Sequence, residues 1–429
     1  MFYRWSQLEC SIISKQAQEL KERIQKDSKR LDEIYRVGVE VEGCLLDSRG
    51  SLVNAAPLIE EFEGTEYKLD FEYGLCQFEY KTQPTQMDKL LDLNVLFEGF
   101  IEHLDRAIKK VYGELEVFPV FLGGNPSPEI LKAYHDSEGL GLITNKPRYN
   151  KLAKWQSNIP DVEIEGQKFK ALQVAAAIQG FHLHLQAQNP AHAAQMFNHM
   201  LNLIPSAIVL GANSRLFAGK MFSMHEPRIH LYDQSEQQNS GFPSIPRYLD
   251  CVEDYVDYIT SRSPIIAKDY LGLEKERHDD LRIRLNSEFY RVETRIMSVQ
   301  PSSAALMAMI EFFIGYLYRS IHQERQLRPL SALREERLAV VLSGYNANTH
   351  FNIIDTITSQ LDFARRGLSD LGVKAEFLSI LEKRLENKTT PGEYVAKLWQ
   401  EKFNGSTEQT VLEVISEIWQ KTKNNQPIT

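Results

Sequence analysis

The sequence predicts an α+β fold: an antiparallel or mixed β-sheet with helices on one face, followed by an all-helical C-terminal region. Three observations predict it. Four short segments, Gly38–Glu42, Gln77–Lys81, Phe181–Leu185 and Val292–Ile296, alternate polar and apolar residues with the two-residue period of a strand. The segments between them carry the three- and four-residue apolar spacing of helices, in an irregular order rather than a regular strand–helix alternation. From about residue 331 onward everything reads as helix.

Taken in order, residues 5–34 read as an amphipathic helix. Residues 35–47 form a strand that enters a turn at Asp47-Ser48-Arg49-Gly50, and Ser51-Leu52-Val53 returns as a hairpin. Residues 57–64 read as a short helix and Glu72–Thr82 as a second strand region. Apolar residues at Leu90, Leu93, Phe97, Phe100, Leu104 and Ile108 make residues 86–112 a helix. Val117–Leu122 is a short strand ending in the loop Gly123-Gly124-Asn125-Pro126. Residues 147–160 begin with a helix and 172–187 form a strand. Pro190–Leu210 follows as one helix with proline in its first turn. Gly211-Ala212-Asn213-Ser214-Arg215 is a loop of small residues. The Ser-, Gln- and Pro-rich stretch 233–247 reads as a surface loop, 248–262 as a helix, 280–299 as the last strand region and 301–324 as a helix. Thr390-Pro391-Gly392-Glu393 and Ser406-Thr407-Glu408-Gln409 are capping boxes that start helices near the C-terminus. The expected division is residues 1–330 holding the sheet and residues 331–429 packing behind it.

A net charge of −9 argues against a general nucleic-acid binder, which carries a basic excess. The charged N-terminus has no apolar run of secretory length, and no stretch approaches the roughly 18 apolar residues of a membrane span. Cys10, Cys44, Cys76 and Cys251 are scattered without a CxxC pair, so free thiols in a reducing cytoplasm are expected.

The polar faces of the four strands are unusual. An ordinary half-buried strand shows Lys, Thr and Ser to water. Here the alternation gathers Glu40 and Glu42, Glu79, His182 and His184, and Glu293 with Arg295, and Glu72 stands seven residues before Glu79. If these strands are neighbours, five carboxylates converge. Two such charges ~4 Å apart repel by about 4 kcal/mol at an effective dielectric near 20, so five need cations or protons. Hard oxygen ligands select Mg²⁺ or Mn²⁺, and imidazole suits Mn²⁺ as a mixed partner. Arg295 belongs among metal carboxylates when a phosphate lies between them. The composite points to metal-dependent phosphoryl transfer. Each piece alone has a plainer reading, a solvated edge strand for Glu-x-Glu or a surface ion pair for Glu-x-Arg; their joint occurrence on strands carries the inference.

The ordered set resembles the carboxylate–amine ligases of the glutamate–cysteine ligase type 2 group, in the glutamine synthetase-like superfamily. The resembling stretches are Gly38–Glu42, Glu72 through Pro84, Gly124-Asn125-Pro126, Gly180–His184, Gly211–Ser214, Ser223–Arg228, and Val292–Arg295 running on to Ser302. The resemblance implies a curved sheet whose concave face holds ATP and two or three Mg²⁺ ions, with residues 1–330 as the catalytic domain. It implies attack by a small-molecule carboxylate, usually that of glutamate, on ATP, and displacement of phosphate from the acyl phosphate by an amine. It implies Glu40, Glu42, Glu72, Glu79, His182 and Glu293 as metal ligands, Arg295 at the transferring phosphoryl group, and Arg228 at a substrate carboxylate or phosphate. His184, Asn213 and Ser214 would contact nucleotide. The chain departs from the pattern at Arg215, where many relatives have proline, and at Ile296-Met297-Ser298, where an acid is often found. These departures bear on the substrate pair. A two-metal phosphohydrolase or phosphotransferase, and a nucleotide-binding scaffold without catalysis, are the alternatives that the same residues allow.

Overall fold

The computed structural model describes residues 7–27, 36–132, 140–285, 289–323 and 325–429. Its centre is an eight-stranded sheet: β1 (Arg36–Asp47), β2 (Lys68–Phe71), β3 (Gln77–Lys81), β4 (Thr85–Gln86), β5 (Val117–Val120), β6 (Gly180–Ala187), β7 (Leu281–Leu285) and β8 (Tyr290–Ser298). The order is β7-β8-β6-β1-β3-β2, with β4 and β5 pairing to the two ends of β1. Every pairing in it is antiparallel. The fold is therefore α+β, as the irregular element order implied.

Period-two alternation sets the two faces of this sheet. On β1, Val37, Val39 and Val41 are buried while Glu40 and Glu42 are half-buried on the opposite face. Leu183 and Leu185 of β6 and Val292 of β8 lie in register with the valines. Helices cover this apolar face. Pro190–Leu201 packs on β6, β7 and β8, Ile204–Gly211 on β8, and Leu90–Tyr112 on β4 and β5. The Tyr80 and Phe100 rings stack at 3.9 Å, joining β3 to the last of these. Ser303–His322 is buried through most of its length. It is the one helix among the described residues long and apolar enough to cross a membrane, and 83% of that apolar window is buried inside the protein. It crosses Ile353–Asp370 at a pair of glycines. A Cβ on Gly315 would stand 2.2 Å from the Ala364 carbonyl oxygen, and one on Gly367 would stand 1.8 Å from the Gly315 carbonyl oxygen, so only glycine permits this approach.

Beyond residue 330 lie Leu330–Ser343, Ile353–Asp370, Leu378–Asn387, Pro391–Lys402 and Thr407–Lys423. Both capping boxes act as caps: the Thr390 hydroxyl accepts from the Glu393 N–H at 3.2 Å, and the Ser406 hydroxyl from the Gln409 N–H at 3.3 Å.

Several boundaries differ from expectation. The strand expected from residue 172 starts at Gly180, because Ala171–Ala175 is a helical turn whose entry is capped by the Gln173 side chain on the Lys170 N–H at 2.7 Å. The helix expected over Pro190–Leu210 is two helices, broken at Asn202-Leu203, and Pro205 sits in the first turn of the second, where no N–H is needed. Glu72 is not on a strand but in the connection between β2 and β3. The stretch expected as a surface loop is partly the helix Pro227–Glu236, and Ser235 and Glu236 are buried. The last strand region is a hairpin, β7 and β8. Residues 5, 6, 28–35, 286–288 and 324, expected in the first helix, at the start of the first strand, within the last strand region and at the end of a later helix, lie outside the described residues.

Candidate active site

Strand register assembles the charged residues into one stripe. Asp70 pairs with Glu79, Glu79 with Glu42, and Glu40 with both Lys81 and His182. His184 pairs with Glu293, and Glu293 with Arg282. Side chains directly opposite on one face stand about 5 Å apart at Cβ, so six strands deliver one continuous row of contacts.

Three overlapping groups of ligand atoms result: Glu40, Glu79 and His182; Glu40, His184 and Glu293; and Glu42, Glu72 and Glu79. Within each group the ligand atoms lie within 4.8 Å of one another. Glu40 Oε2 is 3.1 Å from His182 Nδ1 and 3.4 Å from His184 Nε2. His182 Nε2 is 3.4 Å from Glu42 Oε1, and the other Glu42 oxygen accepts from the Gly180 N–H. Glu72 reaches the row from its turn, held by the Tyr73 N–H at 3.0 Å.

The electrostatics divide the row in two. Burial, and then the Glu42 charge, push Glu72 up to about 7. Burial, with Glu72 and Glu40 beside it, pushes Glu79 well above the carboxylate range. At the other end burial would raise Glu293, but Arg282, His184 and Arg295 hold it well below that range. Burial would likewise raise Glu40, and the His182 and His184 rings beside it reverse this. Burial and the Arg295 charge lower His182, leaving the neutral imidazole that a metal binds.

These residues fit divalent cations. The donors are carboxylate oxygens and imidazole nitrogens, the set suited to Mg²⁺ or Mn²⁺. Both ring nitrogens of His184 are buried without a hydrogen bond, aimed at carboxylate oxygens 3.4 and 3.7 Å away. A cation with Glu40 and Glu293 would give one His184 nitrogen a partner, and a second would offset the repulsion among Glu42, Glu72 and Glu79.

Most of the row lines a cleft of about 500 Å³, while His184 and the fully buried Glu293 lie outside its lining. Arg295 lies in it, donating to Glu293 Oε1 at 2.6 Å. Arg228 also lines it, tied through Nη1 and Nη2 to the carbonyls of Ile296 and Arg295 at 3.1 and 3.3 Å, with Nε unpaired. Asn213 and Ser214 do not line this cleft. Asn213 Nδ2 donates to the carbonyls of Phe121 and Val299, and the Ser214 hydroxyl bonds Glu226 and accepts from the Arg228 N–H at 2.9 Å. Ser214 thus braces the backbone that carries Arg228, and Asn213 ties the chain at Phe121 to that at Val299, so both side chains are engaged within the protein.

The cleft also holds residues that sequence reasoning did not single out. Lys81 Nζ lies 2.6 Å from Glu79 and 2.9 Å from Asp70. Arg282 and Arg284 come from β7, Leu-Arg-Ile-Arg-Leu, which shows the same alternation as the four chosen segments. At one end Glu236 accepts from Gln156 at 2.9 Å and pairs with His278 at 3.2 Å. There Arg337, from the helix Leu330–Ser343, forks onto Asp280 at 2.5 and 2.8 Å and onto Asp233 at 2.6 and 3.1 Å. The helical region thus builds part of the cleft wall as well as packing behind the sheet. Arg337→Lys keeps the charge but cannot reproduce two forks. It is expected to cost about 1–2 kcal/mol, read as a lower denaturant midpoint.

The family model for glutamate–cysteine ligase family 2 matches residues 36–349, about three-quarters of the chain and every strand of the sheet. The chain belongs to this family. As a member of glutamate–cysteine ligase family 2 it is an ATP-dependent carboxylate–amine ligase, and the family uses ATP and a divalent metal. Among solved structures it resembles a bifunctional glutathione synthetase from Pasteurella multocida, at 14% identity and a TM-score of 0.62 over 95% of this chain and 54% of that one. It therefore spans about half the length of that protein. It resembles a glutamate–cysteine ligase from Francisella tularensis in complex with AMP, at 13% identity and a TM-score of 0.62 over 91% of this chain and 90% of that one. At such identities the likeness is one of fold. No curated protein matches the chain.

Proposed function

We propose that this ligase joins glutamate, through its side-chain carboxylate, to an amine by way of an acyl phosphate. The observation that carries the reading is the three ligand groups linked through Glu40 and Glu79, of which Glu40, Glu42, Glu72, Glu79 and His182 line one cleft with Arg295. Glu40, Glu42, Glu72, Glu79, His182 and Glu293 would hold Mg²⁺, with His184 completing the group at Glu293. Ions there would neutralise the phosphate oxygens of ATP and align the γ-phosphoryl group. The carboxylate oxygen attacks the γ-phosphorus and ADP leaves. The amine nitrogen then attacks the acyl carbon, phosphate leaves, and the nitrogen gives up a proton. Arg295 would stabilise charge on the phosphoryl oxygens in transfer, and Arg228 would orient the substrate carboxylate.

A second hollow, about 270 Å³, meets the first at Glu40 and Lys81 and is lined by Arg36, Lys68 and Arg291 beside His184 and Phe289. Its cations and ring suit a nucleotide, so the two substrates would reach the ions from two sides.

ADP and phosphate release, with mass detection of products, tests the reading with Mg²⁺, ATP, glutamate and a panel of amines. The expected product is heavier than glutamate by the amine less water. ATP cleavage without it would turn the assignment toward a phosphohydrolase. No cleavage in any mixture would leave a nucleotide-binding scaffold or another carboxylate. Mg²⁺ with millimolar ATP is also expected to raise the melting temperature, by about 2.7 kcal/mol of linkage at a hundredfold excess over Kd, and EDTA to reverse it. An unmoved transition would count against the nucleotide site.

A further inference from the structure

Glu293 is fully buried, and the guanidinium opposite it on β7 leaves it little freedom. Arg282 Nε donates to Oε2 at 2.8 Å and Nη2 lies 2.7 Å from Oε1, a two-point fork. The fork is itself anchored, since Nη1 donates to the Arg277 carbonyl at 2.9 Å. Arg295 Nη1 donates to Oε1 at 2.6 Å. Each oxygen of a carboxylate offers about two acceptor positions. Oε1 uses both, on Arg282 and Arg295. Oε2 uses one, on Arg282, and keeps the other. It is Oε2 that stands 3.7 Å from His184 Nδ1, in the group formed with Glu40.

We propose that Arg282 is a positioning residue that makes Glu293 a one-oxygen ligand, offering only Oε2 to a cation held with Glu40 and His184. This rests on the reading of those three residues as a cation site. Arg295 cannot substitute, because it bonds Oε1 alone and would let the carboxylate turn about that contact. Arg284 cannot either, since its nearest approach to Glu293 is 4.0 Å. A lysine at 282 would keep the charge but hold one point where the fork holds two.

The test is Mn²⁺ binding by calorimetry to the full chain without nucleotide, for Arg282→Lys, Arg284→Lys and Glu40→Gln, with melting in EDTA alongside. Arg282→Lys is expected to weaken Mn²⁺ binding about 10- to 100-fold, the range for groups that orient metal ligands. Arg284→Lys is expected to bind as the parent does. Weakened binding in Glu40→Gln with none in Arg282→Lys would overturn the positioning role alone. Unchanged binding in Glu40→Gln would overturn the cation site beneath it. A merely structural Arg282 would lower the melting temperature in EDTA without moving Mn²⁺ affinity, which also overturns the proposal. Should Arg282→Lys fail to fold, Arg282→Gln is read the same way, and failure of both assigns Arg282 to folding.

Discussion

Glu79→Gln is expected to abolish ATP turnover and, in the same molecule, to raise the melting temperature of the metal-free protein. Glu79 belongs to two of the three ligand groups, so its loss dismantles both. The rate is expected to fall by more than about a hundredfold, beyond the usual cost of losing a group that only orients a ligand. Stability moves the other way. Glu79 is buried among Glu72, Glu40 and Glu42, with Lys81 as its one close cation among the described residues. Without metal its charge is a burden, and glutamine keeps the shape while removing it. A gain of roughly 1–4 °C in EDTA is expected. The sign can be checked against pH. Glu72 is raised to about 7 and Glu79 also lies above its ordinary value, so the folded metal-free protein holds protons that the unfolded chain releases. Its stability then falls as pH rises from about 4.5 through 7. The variant should show a flatter profile and no stabilisation by Mg²⁺ with ATP. Turnover within tenfold of the parent would remove Glu79 from the site.

How much of this was readable in the sequence depends on how local the signal is. Period-two alternation is local, and it located four strands of the site and fixed which of their residues share a face. β7 carries the same signal in Leu281-Arg282-Ile283-Arg284-Leu285, which is masked when residues 280–299 are read as a single strand region. Glu72 reaches the row from a turn, where no periodicity marks it. Arg337 meets Asp280 across 57 residues and Asp233 across 104. Nothing local in the sequence ties these three together, because the contact exists only once the C-terminal helix has docked. Asn213 and Ser214 show the converse limit. Small polar residues after a helix suit a ligand loop and a backbone brace equally, and here both side chains are engaged within the protein.

Glu293→Gln is expected to lose activity too, but with the opposite effect on stability, and the contrast separates the two ends of the row. Glu293 is the counter-charge of two guanidinium groups, the buried Arg282 by a fork and the half-buried Arg295 at 2.6 Å. Burial alone would lower Arg295, and it is the Glu293 charge that keeps it up. Glutamine leaves both cations without an ion-pair partner among the described residues, and breaking the buried Arg282 pair in this way costs about 3–5 kcal/mol. The variant should therefore unfold at clearly lower denaturant than the parent, in EDTA as well as in Mg²⁺. A second change, Arg282→Met, removes one of the stranded charges and should recover part of the loss, giving a coupling energy of about 0.5–3 kcal/mol between the two sites. Equal midpoints for Glu293→Gln and the parent would mean that water or Glu40 already neutralises the arginines. Full additivity of the double variant would mean that the fork contributes little. Opposite stability shifts at Glu79 and Glu293 would show one polar row that is overcharged where its cations are to bind and balanced by arginine where a single ligand oxygen is to be held in place.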